Sequence, residues 1–423
     1  MLPELIFFVV MVAVFVIAAM WFKLPIGISL VLASVAGALA AGAGIPIRHL
    51  VEGTFAYLDP ILIIATAMIF METLRRSGAL SSISRTIIVR MHKRPVWLLI
   101  FISLFIMFPG MITGLSTAAV LTTGALAAPA LILLGIPPVT AAAMIAMSAI
   151  YGMIAPPINV PAMIIGGGVD MPYIGFELPL IFATFPLAIG VNLGLGYRYV
   201  RHIEIDKIIP KLGRDYYAEY GWKLYLPLLL VIILMLGVRI VPEYFPNFGM
   251  PLIFMLGGLA TLFTGEKMNF WKVSHTAIQE ALPVLGILIG IGMFIQIMTL
   301  NGVRGMLVIG SLSIPSFWRY LSMGVMIPLF GAVSAYGSAS VLGVPFLLAF
   351  LGQNEIIVGS ALSLLTGLGD LMPPTALAGI FAAQVVGEKN YFKVLKITLI
   401  PAIITALWAL TMIYFANILG KFL

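Results

Sequence analysis

The chain has 423 residues, of which 62% are hydrophobic and only 9% charged, with a formal net charge of +7 and no cysteine. Soluble domains carry about 25% charged residues, so no water-soluble fold covers this much apolar surface, and lipid must solvate most of the chain. Thiol chemistry is excluded, and the positive charge does not indicate nucleic acid, because the basic residues sit in short loops between apolar runs, which is how membrane topology is encoded.

A bilayer-spanning helix needs roughly 20 mostly apolar residues. Such runs fall at 4–21, 24–43, 55–74, 95–135, 138–165, 178–197, 223–240, 248–264, 279–300, 317–352, 355–386 and 395–418. The first, Leu5 to Met20, has no basic stretch before it and no obvious cleavage site, so a retained helix is expected rather than a removable signal. Runs 95–135 and 317–352 are too long for one crossing, and small residues interrupt both, from Pro109 to Gly114 and from Gly331 to Gly337. Each is expected to fold back as a re-entrant hairpin. Runs 138–165 and 355–386 each carry a proline pair, Pro156-Pro157 and Pro373-Pro374. Proline removes a backbone donor and clashes with the preceding turn, so a pair breaks a helix. Broken backbone is tolerated at membrane depth only inside protein or along a wet cavity.

The second half repeats the order of the first. Leu24-Pro25 matches Met250-Pro251; Phe70, Glu72 and Gly78 match Phe294, Gln296 and Gly302. Gly110 matches Gly331, Thr117 to Leu121 matches Ser338 to Leu342, and Gly152 with its proline pair matches Gly369 with the other. A charged linker, 198–222, joins the halves. With the amino terminus outside, eighteen of the 23 Lys and Arg residues fall in inside loops, among them Arg75, Arg76, Arg85, Arg90, Lys267, Lys272 and, in the linker, Arg201, Lys207 and Lys211. Each half then crosses an odd number of times. The predicted fold is an all-α polytopic membrane protein with an inverted-topology repeat, two re-entrant hairpins and two proline-broken helices, the arrangement of secondary transporters.

Hairpin tips and helix breaks entering from opposite faces meet at the midplane. Half-helix amino termini there suit an anion, and unwound carbonyls suit sodium. The candidate substrate and ion ligands are Thr113, Gly114, Ser116 and Thr117 in the first hairpin and Ser334, Gly337, Ser338 and Ser340 in the second. At the breaks they are Gly152, Pro156, Pro157 and Asn159, then Gly369, Asp370, Pro373, Pro374 and Thr375. Small hydroxyl and amide oxygens are hard donors fit for sodium, and glycine lets backbone approach. Such residues also mediate tight helix packing; that is the default for any one alone, whereas paired clusters beside breaks favour binding. Asp370, an acid deep in an apolar run, reads either as an ion or proton site or as a cap at the break. Tyr336 reads as an interfacial packing residue before a gating one. Glu72 is expected to pair with Arg75 or Arg76 one turn on.

No enzyme pattern stands out. The four histidines form no His-Glu-x-x-His motif, and no phosphate-binding Gly-x-x-x-x-Gly-Lys loop occurs. Gly367-Leu368-Gly369-Asp370 matches the Gly-x-Gly-Asp of intramembrane aspartyl proteases, but the only available second aspartates, Asp59 and Asp170, lie near the outer surface. The expectation is a transporter, not an enzyme.

Gly114 to Leu121, Ile154-Ala155-Pro156-Pro157-Ile158-Asn159 and Leu371-Met372-Pro373-Pro374-Thr375, in this order, resemble the large membrane subunit of TRAP transporters, within the wider ion-transporter superfamily. The resemblance spans essentially the whole chain. It departs where Ile158 intervenes between the first proline pair and the polar residue, and where the second element reads Gly-Asp. It implies an elevator carrier in which 1–50 and 223–275 form scaffold and 51–197 and 276–423 form transport elements. It further implies sodium-coupled uptake of a small carboxylate across the inner membrane, with a periplasmic binding protein and a small membrane subunit as partners and no cofactor beyond Na+. A stand-alone carrier of the same superfamily is the alternative.

Overall fold

The computed structural model describes residues 2–200, 214–240, 246, 248–350 and 352–423. Arg201, Lys207 and Lys211 of the linker therefore lie outside the described residues. Within them the chain is all helical, without a β-strand. Among the described residues, seven helices are long and apolar enough to cross a membrane, or eight if one bent pair counts as a single span.

One group of helices is built on close backbone approach. Helices α1 (Leu2–Val16) and α2 (Ile26–Ala40) precede α3 (Ile47–Phe55) and α4 (Leu58–Arg76). The 31-residue helix Phe270–Leu300 packs along α2, α3 and α4. Small residues permit this: a Cβ on Gly53 would stand 2.6 Å from the carbonyl oxygen of Gly292, and one on Gly290 would stand 2.6 Å from that of Gly27. Helix Gly249–Phe263 packs on α4, with the rings of Phe70 and Phe254 stacked at 6.0 Å.

The other group holds the hairpins and breaks. After α5 (Ala79–Met91), Pro95 opens α6 (Pro95–Thr113) at a position where its missing N–H is harmless. Gly114 ends α6 in the left-handed region at φ +69°, and α7 (Ser116–Leu133) returns along α6. The hydroxyl of Thr123 on the return arm donates to the carbonyl of Ile106 at 3.1 Å. The second hairpin repeats the device. It runs out as Ser316–Gly331 and back as Ala335–Ala349, with the Ser338 hydroxyl donating to the Ile327 carbonyl at 2.6 Å.

Both proline pairs break their helices, and each is joined by a cis peptide bond. In the first half, α8 (Pro138–Ile154) stops and α9 (Val160–Gly167) starts after Asn159. In the second, helix Glu355–Gly367 tightens into a 3-10 turn, Leu368–Leu371, and helix Leu377–Val385 follows the prolines. Matched glycines seat each hairpin on its break. A Cβ on Gly110 would lie 2.8 Å from the carbonyl carbon of Gly152, and one on Gly331 would lie 2.6 Å from the Cα of Gly369.

Candidate functional site

A cavity of about 470 Å³ lies where the two hairpin tips meet the second break. Ser116, Thr117, Ser334, Tyr336, Asp370 and Thr375 line one side. Met68, Met71 and Glu72 of α4, with Glu280 and Ile287 of helix Phe270–Leu300, line the other. Lining cations are absent among the described residues.

Asp370 is the central charge. Its side chain is only 6% exposed, and it accepts a hydrogen bond from the hydroxyl of Ser116, the first residue of α7. Its partner is the Ser116 hydroxyl and not a backbone N–H, so Asp370 stands beside the amino terminus of the opposite hairpin's return arm without capping it by a hydrogen bond. A carboxylate at a helix amino terminus is favoured by the orphan N–H groups there. Thr117 beside it is half-buried, and its hydroxyl makes no hydrogen bond among the described residues. Thr375 donates to the Ala332 carbonyl at 2.8 Å, tying the second break to the second hairpin tip.

Other candidates spend their polar groups within the protein. Thr113 is spent locally, donating to the Pro109 carbonyl at 2.7 Å and accepting from the Leu115 N–H at 3.2 Å. Asn159 is fully buried and bridges its break: it donates to Ile154 and Ser363 at 2.8 Å and accepts from Ala162 at 2.9 Å. It therefore holds the break together and does not line the cavity. Ser334 accepts from Gly337 N–H at 3.1 Å, while Ser340 donates back to the Gly337 carbonyl and Ser338 to its own hairpin. Gly152 and Gly369 are packing glycines at the hairpin contacts.

Nor do the proline pairs share one site. Pro157 and Ile158 line a separate cavity of about 640 Å³ with Tyr57, Asp59 and Glu177, on the face the charge rule assigns to the outside. Pro373 and Pro374 are exposed and do not line the central cavity. The expected convergence of two breaks and two tips is, in the structure, two tips and one break.

Three residues outside the candidate ligand set also line the cavity. Tyr336, expected from the sequence as an interfacial packing residue, is 8% exposed and donates its hydroxyl to the Gly114 carbonyl at 2.9 Å, joining tip to tip. Glu72 makes the expected ion pair: Arg75 and Arg76 contact it at 2.6 and 2.9 Å. It also walls the cavity. The sequence signal for Glu280 is an acid just inside the apolar run at 279–300.

Two solved structures share this architecture. The YdaH transporter of Alcanivorax borkumensis, described as having an unusual topology, matches with a TM-score of 0.61 at 16% identity, over 87% of this chain and 87% of that one. MtrF of Neisseria gonorrhoeae, which illuminates a class of antimetabolite efflux pumps, matches with a TM-score of 0.61 at 13% identity, over 90% of this chain and 86% of that one. No family model and no curated protein matches the chain, so the resemblance to the TRAP large subunit gains no support from those comparisons. At these identities the matches establish fold and leave cargo open: the chain is a multi-pass helical membrane protein with the fold of solved transporters.

Proposed function

We propose that this chain is a stand-alone, ion-coupled carrier of a small organic anion in the cytoplasmic membrane, its amino terminus outside. The observation that carries the reading is the central cavity. The first turns beginning at Ser116, Ala335 and Leu377 all border it. Their N–H groups have no acceptor within the helix and carry partial positive charge. Beside them, Asp370 and the Ser116 and Thr117 hydroxyls offer oxygen ligands of the kind sodium takes. An ionised Asp370 repels an incoming anion. A cation bound there removes the repulsion, so each ion raises the affinity for the other.

Hairpins and breaks form the moving part in this reading. Helix Phe270–Leu300 packs on α2, α3 and α4, which supports counting it and α4 with the scaffold in this reading. The two halves are inverted repeats, and the hairpin group slides as an elevator. The stand-alone form is preferred to the TRAP form because the TRAP resemblance gains no support from the comparisons, whereas the two solved structures that share the fold are transporters.

The test is flux into proteoliposomes against a panel of carboxylates under imposed gradients. Sodium-driven uptake that Asp370→Asn abolishes is expected. A proton gradient sufficing alone moves the coupling to protons. A requirement for an added binding protein restores the TRAP form, and no gradient-driven anion flux at all ends the reading. Export is a second direction supported by the cavity itself, whose Glu72 and Thr122 edge adjoins the basic, cytoplasmic face.

A further inference from the structure

Next to the central cavity is another of about 670 Å³, on the face that carries most of the basic residues. Arg75, Arg76, Lys267 and Lys272 contribute to its walls, with Glu266 as its acid. These charges do not cancel. Glu72 is shared by Arg75 and Arg76, and Glu266 faces Arg214 at 3.7 Å. Lys267 and Lys272 are exposed and enter no ion pair among the described residues. A concave wall with uncompensated cations concentrates small anions from solution.

The cavity is also connected. Leu121 and Thr122, on the return arm of the first hairpin, line both it and the central cavity. They stand about one helical turn from Thr117. Tyr216 also lines the basic cavity, next to Asp215, which pairs with Arg85 at 3.2 Å.

We propose that this basic cavity is a collecting site for small multivalent anions of the phosphate or carboxylate type, taken from the cytoplasm and handed past Thr122 to the central cavity. The handover rests on the anion-carrier reading in its export direction; the binding does not. The probe is inorganic phosphate at low ionic strength, measured by equilibrium dialysis against the full chain in phosphatidylcholine nanodiscs. Wild type binds it, and binding weakens steeply as salt rises toward about 0.15 M, where charges beyond about 8 Å are screened. The double variant Lys267→Gln with Lys272→Gln binds about tenfold more weakly, whereas Lys267→Arg with Lys272→Arg retains binding and shows the fold intact. Phosphate binding unchanged in the glutamine variant overturns the proposal. So does a lysine dependence seen only with phosphatidylglycerol in the nanodisc, which would make the cavity a lipid-headgroup site. A protein that binds phosphate through the two lysines yet shows no gradient-driven flux sinks the carrier reading alone.

Discussion

The phenolic hydroxyl of Tyr336 donates across 2.9 Å to the carbonyl oxygen of Gly114, joining the tip of the second hairpin to the tip of the first. Gly114 is held at φ +69° to end α6, and both residues are buried. A buried carbonyl without a partner is expensive, so this bond fixes how the tips meet at the wall of the central cavity. Met153, on α8, touches the same hydroxyl through its sulfur at 3.6 Å, which brings the first broken helix into the contact.

Tyr336→Phe keeps the ring and removes the donor. The Gly114 carbonyl is then left buried and unpaired, a loss of about 1–3 kcal/mol. Thermal unfolding in detergent is expected to shift down by a corresponding amount, and transport to fall with it. An unchanged melting temperature would mean the tips are held by packing alone.

Asp370→Asn preserves shape and removes the charge that the Ser116 hydroxyl faces. The variant is expected to insert and melt near wild type, since a neutral amide is easier to bury than a carboxylate. Coupled flux is expected to disappear, while any uncoupled exchange of the cargo persists. Retained sodium-driven accumulation would remove Asp370 from the ion site.

Much of the fold was legible because lipid imposes a severe rule: an apolar run too long for one span, or broken by two prolines, has few solutions. Hence the hairpin break at Gly114 and the helix break before Asn159 were readable from local sequence. The site was less so. Ser116 meets Asp370 across 254 positions and Asn159 meets Ser363 across 204, and no local pattern records such a pairing. Asn159 looked like a ligand because an amide beside a break suits one; which way it points depended on Ser363. Pro157 and Pro374 match by repeat, yet Pro157 lines the outer cavity while Pro374 is exposed and lines neither it nor the central one. The two breaks stand in different surroundings in the structure, and a sequence repeat does not encode that difference.

The paired glycines give a sharper test of packing. At Gly110 and Gly331 a Cβ would meet backbone of Gly152 and Gly369 at 2.8 and 2.6 Å, and backbone cannot swing aside. Gly110→Ala or Gly331→Ala is expected to destabilise by about 1–3 kcal/mol, as overpacking does. Gly190 is the control, because a Cβ there meets nothing within 4 Å. Gly190→Ala should be neutral or gain up to about 1 kcal/mol from helix propensity. Equal behaviour of all three in thermal unfolding would contradict the close hairpin seating.

Glu72 separates a structural charge from a transporting one. Arg75 holds it through two hydrogen bonds of 2.6 and 2.7 Å, and Arg76 adds a third at 2.9 Å. The glutamate is 4% exposed, but the arginines are 36% and 56% exposed, so water already screens the cationic side. Breaking a fully buried pair costs about 3–5 kcal/mol; with this screening, Glu72→Gln is expected to lose about 1–2 kcal/mol. Arg76→Gln should lose less, because Arg75 keeps its two bonds. The freed arginines of Glu72→Gln also make the neighbouring basic cavity more positive, so phosphate binding there should tighten while stability falls. Opposite signs in the two measurements on one variant are the expected signature, and a parallel loss of both would show that Glu72 shapes the cavity wall rather than setting its charge.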